Sequence, residues 1–289
     1  IAEIDESDGS IIKYHGKIGL ITNIELDHTD YYKDIKSLMK KINTFAENCD
    51  FTLANYDCNN LKEYLSKGPI WWSTKESEKV QFAGIPIHMD GSKTIAKYYE
   101  NGSFIDEITI PLPGFHNLNN TIGAIAAIRS TGTKFVEIKR NLQYIRSPKR
   151  RFEFKGVWED RQIIDDYAHH PSEIRETISM ARLMIKSKQS LLPNPCNRLI
   201  GVFQPHRYSR TRDLMNDFAE SLGKVDLLFL LPIYSAGETP INKINIKTLK
   251  SCILKKYPNL KTITSSNFSE LENLLQAKTN STDLLLMMG

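Results

Sequence analysis

The stretch Asp165–Pro171 has the sequence DDYAHHP, so two acids and two histidines lie within six consecutive residues. The apolar run Gln162–Ile164 before it predicts a β-strand, and Pro171 suits the first turn of a helix, where its missing N–H is not needed. Open α/β sheets bind anionic ligands at such strand ends and helix starts. The stretch is therefore a candidate phosphate site. The alternative is a plain helix start with two surface histidines.

Two further predicted strands also end in polar sequence. The strand Leu199–Phe203 is followed by QPHRYSRT, and the strand Leu227–Leu231 is followed by PIYSAGE. Parallel strands bring their carboxyl ends to one edge of a sheet, so we expect all three polar segments to share that edge. Arginines and a histidine that open a helix are typical of an anion site. The polar side chains expected at this edge are His169, His206, Arg207, Arg210, Tyr234 and Glu238.

Carboxylates cluster near the start of the chain. Three further acids follow Glu3 by residue 8, and His28 follows a predicted strand at 18–23 within an acid-rich loop. Oxygen ligands of this kind suit Mg²⁺, which usually keeps waters and nucleotide phosphates as its other ligands. Paired with Glu3 on a neighbouring strand end, His28 could ligate a metal or hold a phosphate. A solvated acidic loop with a surface or capping histidine is the alternative.

Two asparagines lie three residues apart near the start of a predicted helix, Leu118–Arg129. Asn117 and Asn120 should therefore share one face, and their amides can hydrogen-bond the donor and acceptor edge of an adenine. The alternative for Asn117 is N-capping of the helix, a role compatible with the first.

The segment Arg150–Glu153, with Lys149 directly before it, is the densest basic part of the chain. An arginine offers a fork of N–H donors that binds phosphate or carboxylate in a bidentate manner. The alternative is a basic linker between domains.

The whole chain has the composition of an ordinary globular protein, with 289 residues, 40% hydrophobic and 25% charged. Its net charge of +4 is spread out, which argues against a nucleic-acid partner. Its four cysteines form no C-x-x-C pair, and no apolar run is long enough to cross a membrane. We therefore expect a cytoplasmic protein. A monomer or weak homodimer is the expected state, although the sequence itself does not determine it.

Strand and helix patterns alternate cleanly after residue 148, which predicts a doubly wound, mostly parallel sheet. Before that residue, the pattern includes strands at 18–23 and 51–54, a helix at 35–46, and short alternating runs at 70–113 that suggest an antiparallel insert or sheet edge. We therefore predict an α/β protein with two domains, 1–148 and 149–289.

Seven motifs together resemble the Mur ligases, in order and over essentially the whole chain. They are EIDESD from Glu3, TNIELDH ending at His28, GFHNLNN from Gly114, RRFE from Arg150, DDYAHHP from Asp165, FQPHRYSRT from Phe203 and YSAGE from Tyr234. The resemblance is strongest to the members that attach L-alanine to UDP-N-acetylmuramate in peptidoglycan synthesis. Members that recycle muropeptides are a close alternative.

The resemblance implies a partial P-loop-type central ATPase domain in residues 1–148 and a Rossmann-like C-terminal domain in residues 149–289. The sequence contains no G-x-x-x-x-G-K-[ST], so the P-loop of the family is missing from it. The chain also begins without Met and ends at the first glycine after a strand-like run. We therefore expect an internal piece of a longer protein that does not use ATP alone; a non-catalytic nucleotide-binding module is the alternative.

The implied chemistry is ATP-dependent amide-bond formation with Mg²⁺. A substrate carboxylate would attack the γ-phosphate of ATP, and the amine of L-alanine would then displace phosphate from the acyl phosphate. Such chemistry needs neutralised phosphate charge, in-line positioning and exclusion of water.

The resemblance also implies roles for single residues. The residues implied to hold Mg²⁺ are Glu3 and His28, and those implied to bind adenine are His116, Asn117 and Asn120. Asp166 would bind the ATP ribose, and Arg151 and His169 would lie at the phosphates. The sugar substrate or the alanine carboxylate would contact His206, Arg207 and Arg210, and the amino-acid pocket would include Tyr234 and Glu238. Ala168 and Ser235 stand where the family often has glycine and proline, and neither change removes a polar group.

Overall fold

A computed structural model describes residues 1–29, 31–187 and 189–289 of the chain. The chain divides into two compact units, residues 1–146 and 147–289, and each contains one six-stranded sheet. Both sheets are mainly parallel with helices packed on them, as expected for an α/β protein. Within the described residues, no helix combines the length and apolar character needed to span a membrane.

The sheet of the first unit has its strands in chain order. Their bounds are β1 Gly16–Ile21, β2 Cys49–Asn55, β3 Ile70–Ser73, β4 Phe82–Met89, β5 Thr94–Glu100 and β6 Ser103–Ile110. Strands β1 to β4 pair in parallel, and β4 to β6 form an antiparallel meander. The expected antiparallel character of 70–113 is therefore confirmed for β4 to β6 and wrong for β3, a parallel strand.

The α-helices among the described residues of the first unit are α1 Ile35–Glu47, α2 Asn59–Tyr64, α3 Phe115–Ser130 and α4 Phe135–Asn141. Short 3₁₀ turns lie at Ser10–Lys13 and Leu142–Tyr144. Helix α1 begins where predicted because Asp34 and Ser37 form a reciprocal capping box. Helix α3 buries Leu118, Ile122 and Ile125 against the sheet.

The sheet of the second unit has the strand order β11-β10-β9-β12-β8-β7. The strand bounds are β7 Glu153–Trp158, β8 Arg161–Asp166, β9 Arg198–Phe203, β10 Leu227–Leu230, β11 Lys261–Thr264 and β12 Asp283–Met288. The helices are α5 Pro171–Lys186, α6 Tyr208–Asp213, α7 Met215–Leu222, α8 Ile246–Lys256 and α9 Phe268–Lys278. All pairings are parallel except that of β7 with β8, so β7 is an antiparallel edge strand.

Three details of the second unit differ from the sequence predictions. Strand β8 continues through Asp166 because it pairs with β12 as far as that residue. The basic segment at 150–153 leads into β7, which was not predicted, so it is the entry to an edge strand and not merely a linker. The segment after β9, expected to open one helix, forms the pair α6 and α7, which begins at Tyr208 and is interrupted at Leu214.

Candidate functional site

The polar strand ends of the second unit do share one sheet edge, with β12 lying between β8 and β9. At the end of β8, Asp166 is only 6% exposed. One of its carboxylate oxygens accepts the N–H of Phe152 at 2.7 Å, and the other accepts the N–H of Ala168 at 2.8 Å. Burial raises the pKa of Asp166, and these backbone hydrogen bonds oppose the rise. Its carboxylate is thus mainly engaged with the backbone.

The turn after β8 is a capped helix start, as its sequence predicts. His170 is the N-cap of α5, and Pro171 is the first helical residue. One carboxylate oxygen of Glu173 accepts the backbone N–H groups of both His169 and His170, at 3.0 and 3.1 Å. The His169 ring bonds through Nδ1 to the carbonyl of Tyr167 at 2.9 Å. The two alternatives for this stretch, a plain helix start and a phosphate site, are therefore compatible. Both involve the amino end of α5, and the amino end of a helix attracts anions.

Two arginines lie over the ring of Tyr167. The guanidinium of Arg150 is 4.7 Å from the ring centroid, and that of Arg151 is 5.7 Å from it. Arg151 also lies 3.6 Å from the carboxylate of Glu173, and Arg150 lies 3.8 Å from Asp165. Cation–π contacts and carboxylates thus place positive charge next to the start of α5.

The segment after β9 places His206 against Arg210, whose guanidinium lies 3.1 Å from Nδ1 of the imidazole. Guanidinium groups only donate, so Nδ1 accepts and the proton of neutral His206 lies on Nε2. Burial lowers the pKa of His206 below its ordinary 6.5, and the positive charges of Arg210 and Arg207, together with the neighbouring His169, lower it further. His206 is therefore neutral at pH 7.

Glu238 receives two hydrogen bonds from Ser209, one from its N–H at 3.0 Å and one from its hydroxyl at 2.5 Å. Its carboxylate also lies 3.8 Å from Arg207. Burial favours a raised pKa for Glu238, but the hydrogen bonds from Ser209 and the charge of Arg207 outweigh it, so the pKa is lowered. Glu238 is thus an ionised partner that joins the loop after β10 to the start of α6.

A row of rings links the three strand ends. The rings of His169 and His206 lie 6.1 Å apart, and those of His206 and Tyr234 lie 5.4 Å apart. The backbone reinforces the second contact, because the N–H of Arg207 donates to the carbonyl of Tyr234 at 2.8 Å. His169, His206 and Tyr234 therefore form a row at the sheet edge, whereas the predicted residues Asp166 and Arg210 are buried.

In the first unit, the structure pairs His28 with Glu6 and Asp27, whose carboxylates lie 3.7 and 3.9 Å from its Nε2. Glu3 is exposed and belongs to no helix or strand. Among the residues that the structure describes, no three His, Cys, Asp or Glu side chains are grouped to hold a metal. These donors supply at most part of a Mg²⁺ shell.

The predicted adenine-binding residues lie on the first two turns of α3. Gly114 is the N-cap of this helix, so the alternative of N-capping by Asn117 is wrong. The Asn117 amide instead donates to the carbonyl of Pro113 at 2.7 Å. His116 is half-buried and Asn120 is exposed.

Asn119, directly before Asn120, was not among the predicted site residues. Its amide accepts from the indole N–H of Trp72 at 3.2 Å and donates to Asn55 and Asp57 at 3.2 and 3.3 Å. Asp57 also accepts hydrogen bonds from Ser73 and Thr74. The network fixes the start of α3 relative to the ends of β2 and β3. The sequence shows that residue 119 is an asparagine, but the direction of its side-chain amide depends on the packing of α3.

Comparison with known proteins shows two family matches. Residues 3–128 match the Mur ligase middle domain, and residues 150–289 match the Mur ligase, glutamate ligase domain. All 289 residues align at 58% identity with a UDP-N-acetylmuramate–L-alanine ligase of Prochlorococcus marinus, covering 61% of that protein. A ligase of the same name from Parasynechococcus marenigrum is 44% identical, with 62% of its length covered. The chain thus spans about three fifths of these relatives.

Solved structures show the same fold. A UDP-N-acetylmuramate–alanine ligase from Thermotoga maritima superimposes with a TM-score of 0.75 at 21% identity, over 99% of this chain and 59% of that one. A murein peptide ligase from Psychrobacter arcticus gives a TM-score of 0.63 at 18% identity, over 96% and 55% of the two chains. Together the two domain matches account for nearly every residue, and the chain therefore belongs to the Mur ligase family.

Proposed function

We propose that this chain is part of an ATP-dependent ligase that joins L-alanine to UDP-N-acetylmuramate in peptidoglycan synthesis. Within that enzyme, it is the part that binds the nucleotide and the amino acid. The observation that carries the proposal is the continuous row of cationic and ring side chains at one sheet edge. It occurs in a chain 58% identical to a protein of that name. The expected location is the cytoplasm.

The second unit offers groups suited to phosphate. Arg151 and His169 lie beside the amino end of α5, where the helix dipole favours anions. We assign to them the neutralisation of charge on the transferring phosphoryl group, which is the main demand of phosphoryl transfer. Mg²⁺, when bound, would add further neutralisation, and Glu3 and His28 are the residues we propose to hold it.

The neighbouring strand ends suit the carboxylate and amine of the other substrates. Arg207 and Arg210 are the cations we assign to a substrate carboxylate; Arg207 is partly exposed, whereas Arg210 is only 5% exposed and would act mainly through its charge and its contact with His206. Tyr234 is 56% exposed and available to contact a ligand. Neutral His206 can donate through Nε2 without adding charge. Glu238 would attract an ammonium group. For adenine we propose the start of α3, with the residues His116, Asn117 and Asn120.

A chimera tests the function directly. The 289 residues of this chain replace the aligned segment of the Prochlorococcus marinus relative, and product formation is measured with ATP, UDP-N-acetylmuramate and L-alanine. We expect turnover that depends on all three substrates, and loss of turnover in an Arg151→Ala chimera. A folded chimera without turnover beside an active parent would contradict the proposal.

The same assay decides between related functions. Glycine and L-serine replace L-alanine in parallel reactions, and a muropeptide-type tripeptide is the third arm. Preference for L-alanine is the expected result. Preference for the tripeptide would assign the chain to muropeptide recycling, and nucleotide binding without any ligation would assign it to a non-catalytic binding module.

A further inference from the structure

We propose that Ser209 is a positioning residue for the amino-acid site. It holds the carboxylate of Glu238, and through that carboxylate the guanidinium of Arg207, in place for the charged groups of an amino acid. Ser209 was not among the predicted site residues. The inference rests on the amino-acid-binding part of the proposed function and adds to it a residue that acts through two others.

Ser209 holds both oxygens of the Glu238 carboxylate. Its hydroxyl donates to Oε1 at 2.5 Å, and its backbone N–H donates to Oε2 at 3.0 Å. Hydrogen bonds to a charged group are among the stronger ones in proteins, and two of them to one carboxylate fix its plane as well as its position. The side chain of Glu238 is 20% exposed, so part of the carboxylate remains accessible to a ligand.

The same carboxylate caps helix α6 from a different loop. The first N–H groups of a helix have no partner within the helix. Arg207 occupies the N-cap position of α6, and a guanidinium cannot accept these N–H groups. Glu238 accepts those of Tyr208 and Ser209 instead. The contact therefore joins the loop after β10 to the start of α6 and is not a local feature of either segment.

Both segments have a backbone that needs such support. Arg207 has φ +72°, and in the loop after β10 Ala236 has φ +50°, positive values that residues other than glycine rarely adopt. The segments are already joined at Tyr234, whose carbonyl accepts the N–H of Arg207 at 2.8 Å. The hydrogen bonds between Ser209 and Glu238 join them at a second point, after Arg207 in the chain. The direction of the Arg207 side chain therefore depends on both connections.

Arg207 completes the arrangement. Its guanidinium lies 3.8 Å from Oε1 of Glu238, the oxygen that also accepts the Ser209 hydroxyl. A guanidinium and a carboxylate are thus held side by side, and an α-amino acid carries two opposite charges on one carbon atom. Charge complementarity favours its carboxylate near Arg207 and its ammonium group near Glu238. Loss of the Ser209 hydroxyl should therefore weaken recognition of the amino acid more than recognition of ATP.

Ser179 provides a matched control. It is an exposed serine of helix α5 in the same unit, and its hydroxyl donates to the carbonyl of Arg175 at 2.7 Å. Replacing it with alanine removes the same hydroxyl without touching Glu238 or Arg207. Ser209→Thr is the complementary variant, because it keeps a hydroxyl on the same carbon atom.

The decisive measurement is the steady-state kinetics of the chimera described above, with L-alanine, ATP and UDP-N-acetylmuramate varied in turn. We expect Ser209→Ala to raise the KM for L-alanine on the order of tenfold, with kcat and the KM for ATP changed by less than about threefold. Ser209→Thr and Ser179→Ala should stay within about threefold of the unmodified chimera in all constants. Equal rises in the KM values for ATP and L-alanine, a larger rise for UDP-N-acetylmuramate, or no rise for L-alanine would overturn the proposal.

A double-variant cycle tests whether Ser209 acts through Glu238. Glu238→Ala removes the carboxylate, and Ser209→Ala is then introduced in its presence. If Ser209 positions Glu238, the double variant has the same KM for L-alanine as Glu238→Ala alone. A further rise of about tenfold in the double variant would show that Ser209 contacts the substrate directly, and would overturn the positioning role.

One measurement does not depend on ligase activity. Burial raises the pKa of Glu238, but the hydrogen bonds from Ser209 help to lower it below its ordinary 4.5. In residues 1–289, the NMR titration midpoint of the Glu238 carboxyl group should therefore rise in Ser209→Ala and stay unchanged in Ser179→Ala. An unchanged midpoint in Ser209→Ala would refute the hydrogen-bonded pair. A folded chimera without turnover beside an active parent refutes the proposed function, but the titration still decides the pairing.

Ser209→Cys covers poor folding of Ser209→Ala. A thiol nearly keeps the size of the hydroxyl group but is only a weak hydrogen-bond donor. The same selective rise in the KM for L-alanine is expected, and unmodified constants in a folded Ser209→Cys chimera would overturn the proposal.

Discussion

At the scale of single residues, the state of His206 depends on its surroundings. Burial, Arg210, His169 and Arg207 all lower its pKa from 6.5, so its NMR titration midpoint should lie below that value. Replacing Arg210 with methionine keeps much of the volume and removes a cation, and should therefore raise the midpoint. The carbon-bound ring protons of His206 report the titration midpoint in the unmodified protein and in Arg210→Met.

Arg212 supplies the control for this titration. It belongs to the same helix, α6, but its side chain is half exposed and its partner is Asp213 at 2.6 Å. Arg212→Met should leave the His206 midpoint unchanged. A midpoint at or above 6.5 in the unmodified protein, or equal shifts in the two variants, would contradict this account of His206.

At the scale of elements, helix α3 packs closely on strand β4 because Gly84 has no side chain. A Cβ built on Gly84 would lie 2.2 Å from Cδ1 and 2.5 Å from Cγ1 of the buried Ile122. Gly84→Val should therefore cost about 1–3 kcal/mol of unfolding free energy, as overpacking typically does. Thermal or urea unfolding of residues 1–289 measures the change.

Two variants check that crowding is the cause. Ile122→Ala creates room beside residue 84, so the double variant Gly84→Val/Ile122→Ala should lose less stability than the sum of the single variants. Gly68 is exposed and a Cβ there meets nothing within 4 Å, so Gly68→Val should be close to neutral. Additive effects of Gly84→Val and Ile122→Ala would exclude the close contact as the explanation.

The elements that the sequence predicted well are those with a one-sided or fully buried apolar pattern. Strands β9, β10 and β12 are almost wholly buried, and helices α1 and α5 have clear caps. The edge strand β7 was missed because none of its residues is buried, and the break between α6 and α7 was missed because most residues of α6 are polar. Their formation depends on tertiary partners more than on local pattern.

The candidate site was predictable in its residue types but not in its geometry. Motif spacing placed His169, His206 and Tyr234 at one sheet edge. The insertion of β12 between β8 and β9 depends on pairing over more than 80 residues, and it sets the spacing between those strand ends. The burial of Asp166 was likewise not predicted, and β8 runs two residues beyond its predicted end.

At the scale of the whole molecule, stability should fall as the pH is lowered. The pKa of Glu100 is lowered from 4.5, chiefly by its hydrogen bonds with Arg129 at 2.6 and 2.9 Å. A lowered carboxyl pKa contributes stability that is complete above the unfolded value and is lost as the pH falls through the folded value. The lowered pKa of His206 acts with the same sign, but begins near pH 6.5.

Urea unfolding of residues 1–289 between pH 3 and pH 8 tests this expectation. We expect the midpoint to decline modestly below pH 6.5 and more steeply below about 4.5. Glu100→Gln should lower the midpoint at pH 7 and flatten the steep part, because the carboxylate is only 17% exposed and its bidentate partner remains. Glu220 forms an equally close pair with Lys256, but both side chains are about half exposed, so Glu220→Gln should leave the profile nearly unchanged. Equal effects of the two substitutions would show that burial does not decide which ion pairs stabilise this chain against acid.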